Sequence, residues 1–216
     1  MTQPWADRGY LQAVCASLDG RSLTPVGGRV DRGVLRIESG LTDPELAAAE
    51  ARFELRFPPD LRALLEHGLP TGWDLPNWRD PDADDYVRWA LGKPRRAMEF
   101  DVRHNGFWLP EWGPAPEAEA ERVAAAVAAL AEAPRLVPVH ADRYLPSEPH
   151  AAGNPVVRVR QIIETVHAAD DLAGYLAAEF AGPRPAWAAT ASGRRTVSFW
   201  SGFVDRSEAP VDLTGA

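Results

Sequence analysis

Apolar residues recur at helical spacing between Leu41 and Gly68, and this stretch predicts two helices joined by a proline corner. Thr42 suits the cap of the first helix, and Glu45, three positions later, can complete a reciprocal capping box. Leu41 before the cap and Leu46 after it occupy the two positions of a hydrophobic staple. The buried face of this helix is expected to comprise Leu46, Ala49 and Phe53.

The second helix is marked by proline at its start and by glycine at its end. Residues 57–60 read Phe-Pro-Pro-Asp, which ends one helix and begins another because proline fits a first turn but not a helix interior. Leu61, Leu64 and Leu65 would form the buried face, and Gly68 is expected as the C′ stop.

Spacing and turn signals predict further elements along the chain. Helices are expected over 10–18, 86–91 and 117–132, and from Asp170 onward with an apolar face at Leu172, Tyr175, Leu176 and Phe180. Strands are expected over 34–37, 98–102, 106–109, 136–139 and 156–159. Asn105-Gly106 between two apolar runs is a hairpin signal, so the strands on either side of it should pair. The rest of 70–94 and the stretch after His140 are expected to be loops.

The order of these elements predicts the fold class. Helices at both ends of a run of strands, without regular strand–helix alternation, predict an α+β fold with a single antiparallel or mixed sheet flanked by helices. A doubly wound nucleotide-binding fold is disfavoured. We expect three parts: an N-terminal extension over 1–40, a folded domain over 41–182, and a linker with a short amphipathic segment over 183–216.

The composition is that of a globular protein with an acidic surface. The 216 residues are 45% apolar and 25% charged, and 31 acidic against 23 basic residues give a formal net charge of −8. Neutralising phosphates needs clustered Lys and Arg, so nucleic-acid binding is not expected. An acidic surface suits solubility alone or contact with a basic partner.

The first residues and the cysteine content predict a cytoplasmic chain without a cofactor. The N-terminal residues contain no basic stretch followed by an apolar one, so no signal peptide is expected. No run approaches the roughly 18 apolar residues that a membrane span needs. Cys15 is the only cysteine, which excludes an intramolecular disulfide and a cysteine-based zinc site.

Histidine and carboxylate groups near residue 140 could be proposed as metal ligands. His140, Asp142 and His150 carry side chains that suit zinc or iron. The spacing lacks an HExxH pattern, and no third histidine is near. His140 is therefore expected to end a strand and to bond with backbone or carboxylate groups, and no metal site is predicted.

An acidic run imitates the beginning of a calcium-binding loop. Asp80, Asp82 and Asp84 match its first three ligands. Asp85 and Leu91 stand where such a loop needs glycine and glutamate. A solvated acidic loop is the favoured interpretation.

Two further chemical candidates have simple structural interpretations. Cys15, in an apolar helical setting, is expected to be inert packing. Glu99 and Asp101 would lie on the same face of a predicted strand and could perform acid–base chemistry, but an exposed strand face is favoured.

Five tryptophans lie within about forty residues: Trp73, Trp78, Trp89, Trp108 and Trp112. Tryptophan is enriched at interface hot spots, and it also pins irregular segments to small cores. Packing is favoured for Trp89, Trp108 and Trp112. For Trp73 and Trp78, packing and partner contact both stay open.

Several segments together resemble the SUKH superfamily, the Smi/Knr-like domains. The proline corner FPPDLRALL at 57–65 resembles the family's LPxDLRxLL helix, and the loop at 72–80 resembles its GW…LPxWRD segment. Residues 105–114, NGFWLPEWGP, resemble its NGFWxxxWGxxP hairpin. HADRYLP at 140–146 with GNPV at 153–156, and DLAGYLAAEF at 171–180, complete the pattern. The chain departs from it at 161–167, QIIETVH, and residues 1–40 match nothing in it.

The resemblance implies a protein-binding module rather than an enzyme. Bacterial members of this superfamily are immunity proteins that bind and neutralise a toxin domain, often a nuclease, and fungal members regulate cell-wall synthesis. The partner-binding residues expected on this basis are Trp73, Asp74, Trp78, Arg79, Asp80, Asp82, His140, Arg143, Tyr144 and His150. The alternatives are a cytoplasmic regulatory or interaction protein without a toxin partner, and an enzyme using His140, Asp142, Arg143 and His150.

Overall fold

Seven α-helices and two antiparallel sheets make up the described part of the chain. The structure is a computed structural model, and it describes residues 4–21, 33–72, 74–183 and 194–208. The helices are α1 (Arg8–Leu18), α2 (Asp43–Phe53), α3 (Pro59–His67), α4 (Asp84–His104), α5 (Glu119–Ala131), α6 (Leu172–Phe180) and α7 (Trp200–Glu208). The strands are β1 (Arg36–Ser39), β2 (Gly68–Thr71), β3 (Leu136–His140), β4 (Arg143–Pro146), β5 (Val156–Arg158) and β6 (Val166–Ala169). The predicted α+β class with antiparallel strands is confirmed. The strands form two sheets, one of two strands and one of four, where a single sheet was predicted.

The capped helix pair forms as its local signals predict. Thr42 N–H donates to Glu45 Oε2 at 2.7 Å, and Glu45 N–H donates to Thr42 Oγ1 at 3.4 Å, which is the reciprocal capping box. The predicted face of α2 is buried, as are Leu61, Leu64 and Leu65 of α3. These residues enter one continuous apolar cluster, so the pair is part of the scaffold.

Gly68 ends α3 for a different reason from the one its sequence suggests. Its φ of −162° is extended rather than left-handed, and it is the first residue of β2. A Cβ at this position would lie 2.8 Å from Ile37 Cγ2 and 2.9 Å from Cys15 Sγ. Glycine is therefore required by the close approach of β1 and α1 rather than by a helix-ending turn.

The described residues of 1–40 contribute directly to this apolar cluster. Helix α1 forms with Asp7 as its cap, and Val14 and Leu18 on it are buried. The strand expected near 34–37 is β1, which pairs antiparallel with β2 from Arg36 to Ser39. These residues share one apolar cluster with residues after position 40. The expected domain boundary at residue 40 stays a prediction.

Helix α4 contains the short helix predicted over 86–91 and extends far beyond it. The strand expected over 98–102 is wrong, because α4 continues through Pro94 to His104. The strand expected over 106–109 is also wrong, because these residues form neither a strand nor a helix. The buried positions of α4 follow helical spacing and face the four-stranded sheet. They include Val87, Ala90, Pro94, Met98 and Asp101. Asn105 caps the helix and Gly106 follows with φ of +63°, so Asn-Gly ends a helix here.

The four-stranded sheet has the order β3-β4-β5-β6, with antiparallel neighbours throughout. Strand β4 occupies the stretch expected to be a loop, because a tight turn at Ala141, with φ of 51°, folds it back on β3. Strand β6 carries no strong sequence signal. Asp171, one residue after the predicted Asp170, caps α6 by accepting from Gly174 N–H at 2.6 Å.

Helices cover both faces of this sheet. Val137, Leu145 and Val156 point into the apolar cluster shared with α1, α2, α3 and α6. Leu136, Tyr144 and Val157 point into a second cluster, built with α4, α5 and α7. Alternation along β4 therefore sends successive side chains into different layers. Among the described helices, none is long and apolar enough to cross a membrane.

The predicted C-terminal linker falls largely on 184–193, outside the described residues. The amphipathic segment after it forms α7, whose Trp200 is 1% exposed and donates from Nε1 to the Pro134 carbonyl at 2.6 Å. This contact ties the segment to the start of β3.

Candidate functional site

The two segments expected to contact a partner come together at one place. Ala141, in the β3–β4 turn, donates its N–H to the Asp74 carbonyl oxygen at 2.7 Å. Asp74 has φ of 63°, a left-handed conformation that aspartate tolerates better than most residues. Loop 72–80 and the β3–β4 turn are therefore neighbours, although they are more than sixty residues apart in sequence. Trp73 lies outside the described residues.

Arg79 holds the loop to the scaffold. Its Nε donates to Glu45 at 2.7 Å, Nη1 to Glu38 at 3.3 Å, and Nη2 to the carbonyls of Ser39 and Gly40 at 3.0 and 2.9 Å. The hydrogen bond from Arg79, followed by those from Thr42, lowers the pKa of Glu45 to about 2. The Arg79 guanidinium therefore bonds within the protein, and it connects the loop at 72–80 to the start of α2.

The acidic residues after Arg79 form a short capped turn. Asp80 accepts from Asp82 N–H at 2.9 Å, and Asn77 accepts from the N–H of Asp80 at 3.3 Å. Asp82 is exposed. Asp74, Asp80 and Asp82 stay predictions as partner contacts.

Trp78 and Tyr144 are buried and present no surface to a partner in this structure. Trp78 is 2% exposed and packs edge-to-face against Phe53 and Phe57 at ring distances of 5.8 and 4.9 Å. Tyr144 is fully buried, and its hydroxyl donates to the Ala90 carbonyl of α4 at 3.0 Å. Burial raises the pKa of Tyr144. Both side chains stabilise the fold around the site.

A charged network surrounds the β3–β4 turn. Asp142 is buried between Arg143 and Arg160, with Oδ2 at 3.3 Å from Arg160 Nε. Arg143 also approaches Glu179 of α6 at 3.9 Å. Arg143 lies on β4, Asp142 in the turn before it, Arg160 just after β5 and Glu179 on α6, so the network joins three elements of the fold.

His140 lies beside this network. Its Nδ1 is 2.8 Å from the Tyr175 hydroxyl, and its ring packs against Phe180 with centroids 5.2 Å apart. Burial is the main cause that raises the pKa of Tyr175. The expectation that His140 ends a strand is confirmed, and its bonding partner is a phenol.

The four residues of the enzymatic alternative do not converge. His140, Asp142 and Arg143 lie at the turn end of the β3–β4 hairpin, whereas His150 follows Pro146 at the other end. Strand β4 places about 10 Å between these ends at about 3.3 Å per residue. Within the described residues, no group of three or more His, Cys, Asp or Glu side chains is arranged to hold a metal ion.

Other chemical candidates are also explained by packing. Burial raises the pKa of the Cys15 thiol to about 11, so it is protonated at neutral pH. Glu99 and Asp101 do not share a strand face, because both lie on α4, where two residues are separated by about 200°. Asp101 is buried and accepts from the N–H groups of Ile162 and Ile163 at 2.6 and 3.2 Å.

A line of aromatic and basic side chains runs along α4, with Trp89, Arg96 and Phe100 exposed and Tyr86 and Lys93 half-buried, and we call it the aromatic–basic face. It comprises Tyr86, Trp89, Lys93, Arg96 and Phe100. Trp89 is 49% exposed and Phe100 is 44% exposed. Tyr86 stacks on Trp89 with centroids 5.9 Å apart, and Lys93 and Arg96 lie over the same indole at 5.8 and 5.4 Å. The packing role expected for Trp89 is therefore wrong.

Trp108 and Trp112 follow the packing interpretation. They are half-buried, meet edge-to-face at 5.1 Å, and adjoin the cluster under α4 and α5. Trp108 Nε1 also donates to the Gly113 carbonyl at 2.8 Å.

The aromatic–basic face adjoins the charged network. Burial lowers the pKa of Lys93, and the charges of Asp142, Arg160, Arg143 and Arg96 also act on it. The face has a sequence signal in the spacing of its members, which recur every three or four positions. That signal is visible only once residues 84–104 are interpreted as one helix.

Comparison of the chain with protein-family models, with curated proteins and with solved structures found no match.

Proposed function

We propose that this chain is a non-catalytic protein-binding module that acts by stoichiometric association, in the manner of an immunity protein that neutralises a bacterial toxin domain. The observation that carries the proposal is the aromatic–basic face of α4. Its two large aromatic side chains, Trp89 and Phe100, are close to half exposed on a regular helix. An exposed group of large aromatic side chains marks an interaction surface more often than a catalytic one.

The composition of the face supports binding to a protein. Tryptophan, tyrosine and arginine are the residues most enriched among interface hot spots. A tryptophan offers roughly 150–250 Å² of contact area with only two rotatable bonds, so little conformational entropy is lost when a partner covers it. Arg96 donates from Nη2 to the Trp89 carbonyl at 2.5 Å, which fixes its guanidinium over the indole. The face is thus organised before any partner arrives.

The immunity form of the proposal is supported by the resemblance of residues 41–182 to the SUKH superfamily and by the charge of the chain. A net charge of −8 would accelerate the approach of a basic partner such as a nuclease domain. The face itself carries Lys93 and Arg96, so contact with it is expected to use ring packing and cation–π interactions more than salt bridges.

The test uses the purified chain and the toxin domain encoded beside its gene, with binding measured by isothermal titration calorimetry. We expect one-to-one binding and loss of the toxin's activity in the complex. Trp89→Ala and Phe100→Ala should each weaken binding by about 30-fold, the effect of losing a hot-spot side chain of about 2 kcal/mol. Val34→Ala is the matched control, because Val34 is 41% exposed and lies outside the face.

The immunity proposal fails if the chain neither binds the toxin domain nor blocks its activity. The assignment of the face fails if binding occurs but Trp89→Ala and Phe100→Ala bind as tightly as the wild type. Circular dichroism of each variant shows that a loss of binding does not arise from a loss of fold.

A further inference from the structure

Two arginines face each other across neighbouring strands of the four-stranded sheet. Arg143 of β4 is paired directly with Arg158 of β5, so their side chains leave the same face. Directly opposed residues have Cβ atoms about 4.5–5.5 Å apart, and like charges in this position destabilise a sheet. Both side chains are shielded from solvent, Arg143 to 14% exposure. An arrangement of this kind needs a compensating negative charge.

The protein supplies that compensation to Arg143 but not to Arg158. Arg143 is paired with Asp142 and approaches Glu179 at 3.9 Å. Arg158 Nε is buried and has no hydrogen-bond partner among the described residues. A buried donor left without a partner is costly, most of all on a charged group.

The charged groups around this pair carry an excess of positive charge. Arg143, Arg158, Arg160 and the nearby Lys93 are positive, whereas Asp142 and Glu179 are the negative groups that contact the arginines.

The two arginines open into a concavity between the sheet and α6, which we call the arginine concavity. It has a volume of about 230 Å³ and is lined by Arg143, Arg158, Val166, His167, Ala168, Tyr175, Ala178 and Glu179. At about 30 Å³ per water molecule, this volume is large enough for a small organic ion.

We infer that the arginine concavity binds a carboxylate, with Arg158 as the principal ligand. The planar guanidinium matches a carboxylate through two parallel N–H···O bonds from Nε and one Nη. A carboxylate also brings the negative charge that Arg158 lacks. The site lies on the opposite face of the sheet from α4 and does not depend on the protein-binding function proposed above.

A carboxylate can come from a free small molecule or from a side chain of a partner protein, and the two sources are separable. Sodium acetate is titrated into ¹⁵N-labelled protein at constant ionic strength, with sodium chloride making up the difference, and a blocked peptide, acetyl-Ala-Glu-Ala-amide, forms the second arm. Saturable shifts of the Arg158 Nε–H resonance with acetate alone assign a free molecule. Saturable shifts with both ligands assign a protein carboxylate, and either result supports the site.

Variants test the role of Arg158. Arg158→Met keeps most of the aliphatic stem and should weaken acetate binding by at least about tenfold, as expected for a charged hydrogen bond. In chloride buffer its melting temperature should equal or exceed that of the wild type, because an uncompensated charge has been removed. Arg95→Gln is the control, since it removes one positive charge from a residue that is 66% exposed and lies outside the concavity.

Three results would overturn the inference. One is that neither acetate nor the peptide gives saturable shifts. Another is that inorganic phosphate or chloride produces the same shifts as acetate. The last is that Arg158→Met lowers the melting temperature in chloride by more than about 4 °C, a loss of about 1 kcal/mol or more for a chain of this size, which would make Arg158 a structural residue.

Discussion

Asp60 is a buried carboxyl group whose raised pKa can be tested directly. The side chain is fully buried in the first turn of α3. Gly153 N–H donates to Oδ2 and Leu61 N–H donates to Oδ1, each at 3.0 Å. Burial raises the pKa of Asp60 from 3.8 to about 6; these hydrogen bonds oppose the rise, and the charge of Asp171 adds to it.

The direction of the pH dependence follows from this difference. The folded protein holds the Asp60 proton more tightly than the unfolded chain does, so folding is favoured when the group is protonated. This contribution is fully present below about pH 4 and is lost as the pH rises through about 6. A difference of about 2 pKa units corresponds to about 3 kcal/mol in the free energy of unfolding.

Asp60→Asn isolates this term because asparagine does not titrate. Urea denaturation of the variant and the wild type is measured between pH 4 and 8. The free energy of unfolding of the variant minus that of the wild type should rise by about 2.4 kcal/mol from pH 4 to pH 7, whatever its value at pH 4. Glu66→Gln on the outer side of α3 controls for the change in net charge. If the two stability curves run parallel over this range, burial does not raise the pKa of Asp60.

Three further predictions test other features of the structure. Asp101→Ala leaves the N–H groups of Ile162 and Ile163 without their acceptor. The free energy of unfolding measured by urea denaturation should fall by about 3–5 kcal/mol, and a fall below about 1 kcal/mol would contradict the contact. Gly40→Ala places a Cβ 2.0 Å from the Glu66 carbonyl oxygen and should lower the melting temperature more than Gly202→Ala, whose Cβ would meet no neighbour; equal losses would argue against this close approach. Burial raises the pKa of Cys15 to about 11, so about one thiol in a thousand is ionised at pH 8. Ellman's reagent should therefore label Cys15 only on unfolding, and rapid labelling of the native protein would refute its burial.

The parts of the fold that the sequence predicted correctly are those specified by short-range signals. The Thr42–Glu45 capping box, the proline corner at 57–60 and the buried face of α6 each depend on residues within one or two helical turns. Such signals act before tertiary contacts form, so they can be interpreted without knowing the fold.

The full length of α4 is not evident from the sequence, because one signal inside it and one just after it argue against a long helix. Pro94 lies within α4 and removes one backbone hydrogen bond, and Asn105-Gly106, directly after its last residue, has the sequence of a hairpin turn. Burial of the apolar side of α4 against the sheet outweighs the proline penalty of about 3 kcal/mol. The exposed role of Trp89 was missed for the same reason, since its line of neighbours exists only on a continuous helix.

The arginine concavity could not have been found from local pattern. Arg143 and Arg158 are fifteen positions apart, and they meet because β4 and β5 pair in one particular register. A shift of β5 by one residue would turn Arg158 to the other face of the sheet and away from Arg143. That register is set by burial of Leu145 and Val156 on one face and of Tyr144 and Val157 on the other, which is a property of the whole core.

Strand β4 connects the two surfaces for which we propose binding. Arg143 points into the arginine concavity, and the next residue, Tyr144, passes through the other face to bond with Ala90 of α4. Ala90 is the neighbour of Trp89, so the aromatic–basic face is held in position from the same strand that carries the arginine. The two surfaces therefore lie on opposite sides of one strand, and Asp142, between Arg143 and Arg160, fixes the turn from which that strand begins.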